Sequence, residues 1–573
     1  MRIAIRTAAL VGLGLLTACS PKTQGPAAPG LSAPPPDARA ATAAAPDPAA
    51  YWNSATIYFL LTDRFVNGDP SNDLALGRTR ECGVLRTFQG GDLAGVLLKL
   101  EEGYFDDLGV DAIWMTPFQE QNHGSTDEGT GRTYGYHGYW IQDWTAVDPA
   151  LGTEEDLRAV VEAAHERGIR VLMDAIVNHT GPVTPEDPVW PGDWVRTAPK
   201  CEFDDYTTTV DCTLVDNLPD ILTSSDEAVE LPAQLLAKWE REGRLDRELA
   251  ELDAFFGRTG HPRAPRFYLM KWLTDWVRDY GFDGYRVDTA KHFEEWVSAE
   301  LKEEAEQALA AWRTAHPDPV RDDLPFYMMG EVYNFSMTNG REFDFGGGDT
   351  VDFFDYGYDG LINFDFKNRS DESLDDLFTR YAAALKADLY GVSIVNYISS
   401  HDDSSPWDRE RADPFGAGTR LLLAPGGAQI YYGDELARPL IVESAQGDAN
   451  LRSFMNWGDL AAGEGEAPAV ELLEHWQKLG RFRQAHPAVG AGEHQRLRVD
   501  PYIFSRTLEL DGVTDRVIVA LDLEVGPKTI FVYGLFPDGT ELVDAYSGET
   551  GTVAEGHVTF DTGFDLVLLS ERR

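Results

Sequence analysis

From Tyr51 onward the chain alternates two textures. Short apolar runs are separated by stretches whose apolar residues recur every three or four positions. The runs cover residues 55–61, 111–115, 169–173, 282–287, 326–329, 351–354, 394–398 and 429–432. Runs this short and this continuous are what strands buried on both faces require. Residues 154–168 carry a helical pattern that stops at Gly168, and residues 268–280 place Leu269, Trp272, Leu273, Trp276, Val277 and Tyr280 on one helical face. Eight strands with helices between several of them predict an α/β fold, a (β/α)8 TIM barrel over residues 51–180 and 225–486. Residues 181–224 break the alternation and read as a small domain inserted after strand three. Beyond residue 487 the runs at 502–504, 516–520, 529–533 and 566–569 are broken by Gly and Asp turns, which predicts a C-terminal antiparallel β-sandwich over 487–573.

The first fifty residues are different. Arg2 and Arg6 precede an apolar run at 8–16 that is too short to span a bilayer, the pattern of an export signal over residues 1–18. Leu16-Thr17-Ala18-Cys19 looks like a bacterial lipobox, which implies cleavage before Cys19 and lipidation of its thiol; the alternative is a plain secretory peptide ending at Ala18. Ser20 at the next position points to the outer membrane. Residues 21–50 hold 8 Pro and 11 Ala and no aromatic residue, so residues 19–50 read as an anchored, flexible tether.

Composition narrows the partners. Hydrophobic residues make up 43% and charged residues 25% of the 573, an ordinary globular balance. The 49 Lys and Arg against 96 Asp and Glu leave a net charge of −47, which argues against nucleic acid or an anionic membrane surface and suits a neutral ligand. A monomer is expected, touching a membrane only through Cys19. Cys201 and Cys212 share one acidic, loop-rich stretch and can bridge in an oxidising compartment, which leaves Cys82 unpaired and buried.

In such a barrel, chemistry gathers at the C-terminal ends of the strands. Strand three ends in Asp174 and Asn178-His179, strand four in Arg286-Val287-Asp288, strand five in Glu331 and strand seven in His401-Asp402. Two carboxyl groups flanking one bond are what glycoside hydrolysis needs. The motifs Asp174-Ala-Ile-Val-Asn178-His179, Gly284-Tyr-Arg-Val-Asp288-Thr-Ala-Lys291-His292, Gly330-Glu331-Val-Tyr333 and Ser400-His401-Asp402 resemble the α-amylase family of glycoside hydrolases, family 13. Leu218-Pro219-Asp220 and the segment Tyr134-Gly-Tyr-His137-Gly-Tyr139-Trp140 match it too, in the family's order. Residues 276–281 and 362–365 look like its bacterial periplasmic branch.

The resemblance implies a retaining mechanism. Asp288 would be the nucleophile, Glu331 the general acid and base, and Asp402 the stabiliser of the oxocarbenium-like state. Arg286 would hold Asp288 ionised. His137, His179 and His401 would bond the sugar, Tyr139 would stack on it, Lys291 would contact it on the leaving side, and His292 would belong to the substrate-binding set. It also implies calcium. One site would join Asn67, Asp69, Asn72, Asp73, Gly90 and Asp92, oxygen donors suited to a hard cation. A second would join Asn178, Asp216 and the His292 carbonyl. The expected activity is that of an α-amylase acting on internal α-1,4 bonds of maltodextrin or starch. The alternatives are a glucanotransferase, which shares every catalytic residue, and a non-catalytic glycan-binding lipoprotein.

Overall fold

The computed structural model describes residues 47–317, 323–369, 371–403, 405–461, 467–510 and 512–572. The export signal, Cys19 and the tether up to residue 46 lie outside the described residues. The expected tether, residues 19–50, overlaps regular structure at its end. A short helix, Pro48–Ser54, is capped by Asp47, and its Trp52 is buried with its ring 3.8 Å from that of Tyr327.

Eight parallel strands close a barrel in chain order. They are Thr56–Leu60, Ala112–Met115, Arg170–Ala175, Gly284–Val287, Tyr327–Gly330, Gly360–Asn363, Ser393–Tyr397 and Gly427–Tyr431, strands one to eight below. Every residue in them except Arg170 is buried, which is why they show as apolar runs and not as an alternation.

Strand six departs from the sequence expectation. Residues 351–354 are not in the barrel: Asp349–Asp352 pairs antiparallel with Glu342–Gly346 in a separate hairpin. The barrel strand is Gly360–Asn363, a Gly-Leu-Ile-Asn run with only two apolar residues. Asn363 can be buried there because its amide donates to Asn396 Oδ1 on strand seven at 2.8 Å.

Helix Glu154–Glu166 starts at a capping box between Thr153 and Asp156 and buries Leu157, Val160, Val161 and Ala164. Helix Pro265–Tyr280 opens on a proline and ends at Gly281, whose φ is +84°. A Cβ on Gly281 would lie 2.3 Å from the Trp312 ring. This turn feeds the chain into strand four. The charged run near 235–255 forms two helices, Ala233–Arg241 and Leu245–Thr259.

Between strand three and those helices, Val195–Arg196 pairs with Asp220–Ile221, and a Cys201–Cys212 disulfide closes the loop between them. Cys82 is free, and half-buried where full burial was expected. The C-terminal region holds a six-stranded antiparallel sheet and a two-stranded one, Gly526–Phe531 with His557–Thr562. Alternate residues of the large sheet serve two cores. Phe504, Val517, Val519 and Leu568 join the barrel's core. Ile503, Ile518 and Leu569 pack with Ile530, Val558 and Phe560 of the small sheet, a sandwich as expected.

Replacing Gly281 by valine forces a branched side chain into the left-handed region and against Trp312. Stability should fall by roughly 3 kcal/mol, read as a lower urea midpoint at unchanged slope; an unchanged midpoint would contradict this reading of the turn.

Candidate active site

Register places Arg286 of strand four beside Asp174 of strand three. Asp288 lies two residues further and so projects to the same side. Arg286 is 1% exposed, and its Nη1 donates to Asp174 Oδ1 at 2.8 Å and to Asp288 Oδ1 at 2.7 Å. Its Nη2 is 2.8 Å from Glu331 Oε2. Glu331 follows Gly330, which pairs with Val287, so strands four and five deliver the two carboxyl groups side by side. The Thr289 amide also donates to Glu331 Oε2, at 2.9 Å. Asp174 Oδ2 accepts from Trp114 Nε1 at 3.0 Å and from the Tyr139 hydroxyl at 2.8 Å. The Trp114 and Tyr139 rings lie 4.9 and 5.6 Å from the guanidinium carbon. One buried cation thus faces three carboxyl groups and two aromatic rings, a use that suits the planar fork of arginine.

These surroundings split the carboxyl groups. Burial raises Glu331 to about 8; Arg286 opposes the rise, and the charges of Asp288 and Asp402 add to it. Burial also raises Asp288, to about 6, against the pull of Arg286. Glu331 therefore keeps its proton at a pH where Asp288 has lost one, the condition for acid and nucleophile to act in one site.

Asp402, at the exit of strand seven, is half-exposed. Arg452 Nη2 donates to its Oδ1 at 2.7 Å, and Arg452 Nε donates to the His401 carbonyl at 2.9 Å. The His401 Nε2 atom is 3.4 Å from Asp402 Oδ2. The His401 ring stacks on Tyr139 with centroids 5.0 Å apart. His137 Nδ1 accepts from the Tyr139 amide at 3.1 Å, and His179 Nε2 is 3.1 Å from the Tyr139 carbonyl. Burial pushes all three histidines down, His179 to about 4, so each is neutral near pH 7. A narrow cavity bounded by Trp114, Arg286, Glu331, Tyr333, Phe364 and Asp402 opens at this point.

Lys291 lies over the Tyr333 ring, and burial lowers its ammonium pKa against the pull of Glu331. His292 is held by the inserted segment: its Nδ1 is 3.2 Å from the Thr209 carbonyl, and its ring meets Phe203 edge-on. Sequence reasoning missed Arg452 and its partners. Arg452 also meets Asp448 at 2.8 Å, and Asp448 meets Arg86 at 2.9 Å. The only sequence signal was the four-residue spacing of Asp448 and Arg452 on one helical turn.

The first predicted calcium set is brought together only in part: Asp69 Oδ1 accepts from the Ser71 amide at 3.0 Å, and Asp73 Oδ2 is paired with Arg80 Nη2 at 2.8 Å. Asp92 accepts from the Gly68 and Asp69 amides at 2.9 and 2.7 Å, and Asn67 Nδ2 donates to Asp73 Oδ1 at 2.8 Å. Gly90 sits against both Asn67 and Asp73, where a Cβ would be 2.5 Å from either side chain. Asn67 Oδ1 and Asn72 Oδ1 are buried with no hydrogen-bond partner. Asp92 differs from the expectation, since the turn's amides and the Gly95 amide at 2.7 Å take up its oxygens. Of the second set, the Asn178 amide oxygen is buried with no hydrogen-bond partner, while Asp216 stands apart from it. Asn178 is buried, whereas the Asp216 side chain is 84% exposed and turned toward Lys200. Among the described residues, no three His, Cys, Asp or Glu side chains are grouped to hold a metal.

Residues 59–200 match the family model described as alpha amylase, catalytic domain. The chain is 37% identical over 503 residues to the periplasmic alpha-amylase of Escherichia coli (strain K12), covering 78% of this chain and 69% of that protein. It is 25% identical over 527 residues to a cyclomaltodextrin glucanotransferase of Geobacillus stearothermophilus, covering 88% of this chain and 64% of that one. It spans only 37% of a beta/alpha-amylase of Paenibacillus polymyxa, at 26% identity over 510 residues and 89% of its own length. Among solved structures, an Anoxybacillus alpha-amylase superposes with a TM-score of 0.63 at 23% identity, over 91% of this chain and 99% of that one, a likeness of fold.

Replacing Arg286 by methionine strands three buried carboxyl groups. Stability at pH 7 should fall by about 3–5 kcal/mol. The loss should shrink toward pH 5, because the stranded groups, raised in the folded state, bind more protons there than in the unfolded chain. Urea unfolding at both pH values checks this; a loss independent of pH would contradict it.

Proposed function

The chain belongs to the α-amylase family of glycoside hydrolases, and from that premise we propose that it is an α-amylase, cleaving internal α-1,4-glucosidic bonds of maltodextrins or starch with retention of configuration. The observation that carries this reading is the Arg286 guanidinium bonded at once to Asp174, Asp288 and Glu331. Asp288 attacks the anomeric carbon and forms a glycosyl ester as the glycosidic C–O bond breaks. Glu331 gives its proton to the departing oxygen. It then takes a proton from the water that cleaves the ester, which restores both carboxyl groups. Retention needs the two groups roughly 5–5.5 Å apart, and their hold on the two arms of one guanidinium supports that.

Asp402, with Oδ1 fixed by Arg452, leaves Oδ2 for the ring hydroxyls. His137, His179 and His401 supply neutral hydrogen-bonding groups, and Tyr139 supplies a flat face. Lys291 reaches the leaving side. His292 positions the inserted segment.

The likeness of the turn at Asn67, Asn72 and Gly90 to an oxygen-rich cation cradle supports one structural calcium. The two orphaned amide oxygens would serve as donors, and Asp92 would clasp the turn. The ion takes no part in bond breaking. Asp216 gives a second ion no support. We read residues 51–180 and 225–486 as the catalytic barrel, 181–224 as the inserted domain and 487–573 as the C-terminal one. The protein is exported, in keeping with the periplasmic relative, and held by a lipid on Cys19. Among the described residues no helix is long and apolar enough to cross a membrane.

Incubation with maltoheptaose should yield only shorter sugars. Asp288→Asn and Glu331→Gln should each cut kcat by roughly 10⁴-fold or more. Longer or cyclic products would mark a glucanotransferase, and binding without turnover would mark a glycan-binding lipoprotein. In the wild type, kcat/KM should fall below pH about 6 as Asp288 takes up its proton and above pH about 8 as Glu331 loses its own. A profile flat across both limbs would contradict the assignment. Chelation should lower Tm, and Asn67→Ala should remove that sensitivity; a Tm indifferent to chelator would overturn the calcium reading.

A further inference from the structure

We propose, resting on the amylase reading above, that the hairpin at residues 342–352 is the wall that limits how much glucan can lie on the leaving side of the scission point. A cleft of about 590 Å³ begins at Lys291 and Asn334, each three residues past a catalytic carboxyl group. Glu331 protonates the departing oxygen, so the departing chain lies along the loop that follows Glu331, which is this cleft. One wall is the inserted segment, with Phe203 and Thr209; the other is the hairpin, with Phe343 and Phe345. The Lys291 ammonium lies 5.2 Å from the Phe343 ring centroid. A hydrogen-bond donor beside a flat apolar face suits a pyranose, which offers hydroxyls at its rim and C–H bonds on its face.

The two walls touch. A Cβ on Gly346 would lie 2.4 Å from the Asp204 carbonyl oxygen of the inserted segment, so only glycine lets the tip seat there. Phe345 meets Tyr206 edge-on with centroids 5.1 Å apart, and the Tyr206 hydroxyl donates to Glu295 Oε2 at 2.6 Å. Gly346, Gly347 and Gly348 have φ of +89°, +65° and +100°, the left-handed region that glycine enters freely. The tip is therefore turned into the inserted segment and bridges the cleft. A bridged cleft of this volume falls within the range of small-ligand sites, about 300–1,000 Å³. It holds only a few glucose units against its walls, and a longer chain passes beyond the hairpin into solvent.

The test uses maltoheptaose labelled at its reducing end, with the full chain and its variants, each checked by circular dichroism and for turnover of starch. The wild type should confine the label to the shortest sugars of the ladder. Gly346→Val pushes the tip off Asp204 and should move label into longer fragments. Tyr206→Ala loosens the same contact from the other wall and carries the test if the valine variant does not fold. Phe343→Ala should raise KM for maltoheptaose roughly tenfold, the equivalent of one lost contact of about 1.4 kcal/mol. Identical label distributions in wild type and loosened variants, all active on starch, would overturn the inference. A wild type that turns over no α-glucan would overturn the amylase reading and take this one with it.

Discussion

A single buried cation organises this molecule. Arg286 sits where strands three, four and five meet, within hydrogen-bonding distance of Asp174, Asp288 and Glu331. Four ionisable groups out of water would ordinarily be costly. Here the cost is contained because one guanidinium serves three acceptors, and because Asp174 also receives the Trp114 and Tyr139 donors. Three carboxyl groups around one positive charge cannot all ionise comfortably. The proton that remains settles on Glu331, the most strongly raised of them. On the proposed mechanism, the division of labour between Asp288 as nucleophile and Glu331 as acid follows from this shortage of positive charge.

The remaining polar groups add hydrogen bonds to the site, and one of them, Asp402, also helps to raise Glu331. His137, His179 and His401 are kept neutral by burial, so they offer hydrogen bonds and no charge. Asp402 stands apart, half-exposed and paired with its own cation, Arg452, which is held by Asp448, itself paired with Arg86. The carboxylate nearest solvent is thereby fixed on one oxygen and left free on the other.

Much of this was legible from sequence, for identifiable reasons. Strands buried on both faces leave continuous apolar runs, and seven of the eight were found that way. Strand six was not, because Gly360–Asn363 has a buried asparagine satisfied only by Asn396 on the next strand, a contact between residues 33 apart. The apolar run taken in its place belongs to the hairpin. The carboxyl groups of the site lie in compact motifs on strand ends and could be read directly. Arg452 could not, since its bond to Asp402 joins residues 50 apart with no local pattern. Asp216 fitted a ligand pattern by order alone; its exposure and its lysine partner are properties of the folded loop. Asp92 was read as a ligand because Gly90-Gly91-Asp92 resembles a calcium site of the family; in the fold its oxygens accept from the Gly68, Asp69 and Gly95 amides.

The account stands on Asp288 being the ionised member of the pair that Arg286 holds. The most direct measurement is to trap the intermediate with a fluorinated α-glucosyl fluoride, which forms the ester quickly and hydrolyses it slowly, and to map the modified peptide by mass spectrometry. The account predicts one glucosyl adduct, on the peptide that contains Asp288 and on that side chain. An adduct on Glu331 or Asp402, or none while the enzyme still turns over substrate, would contradict it.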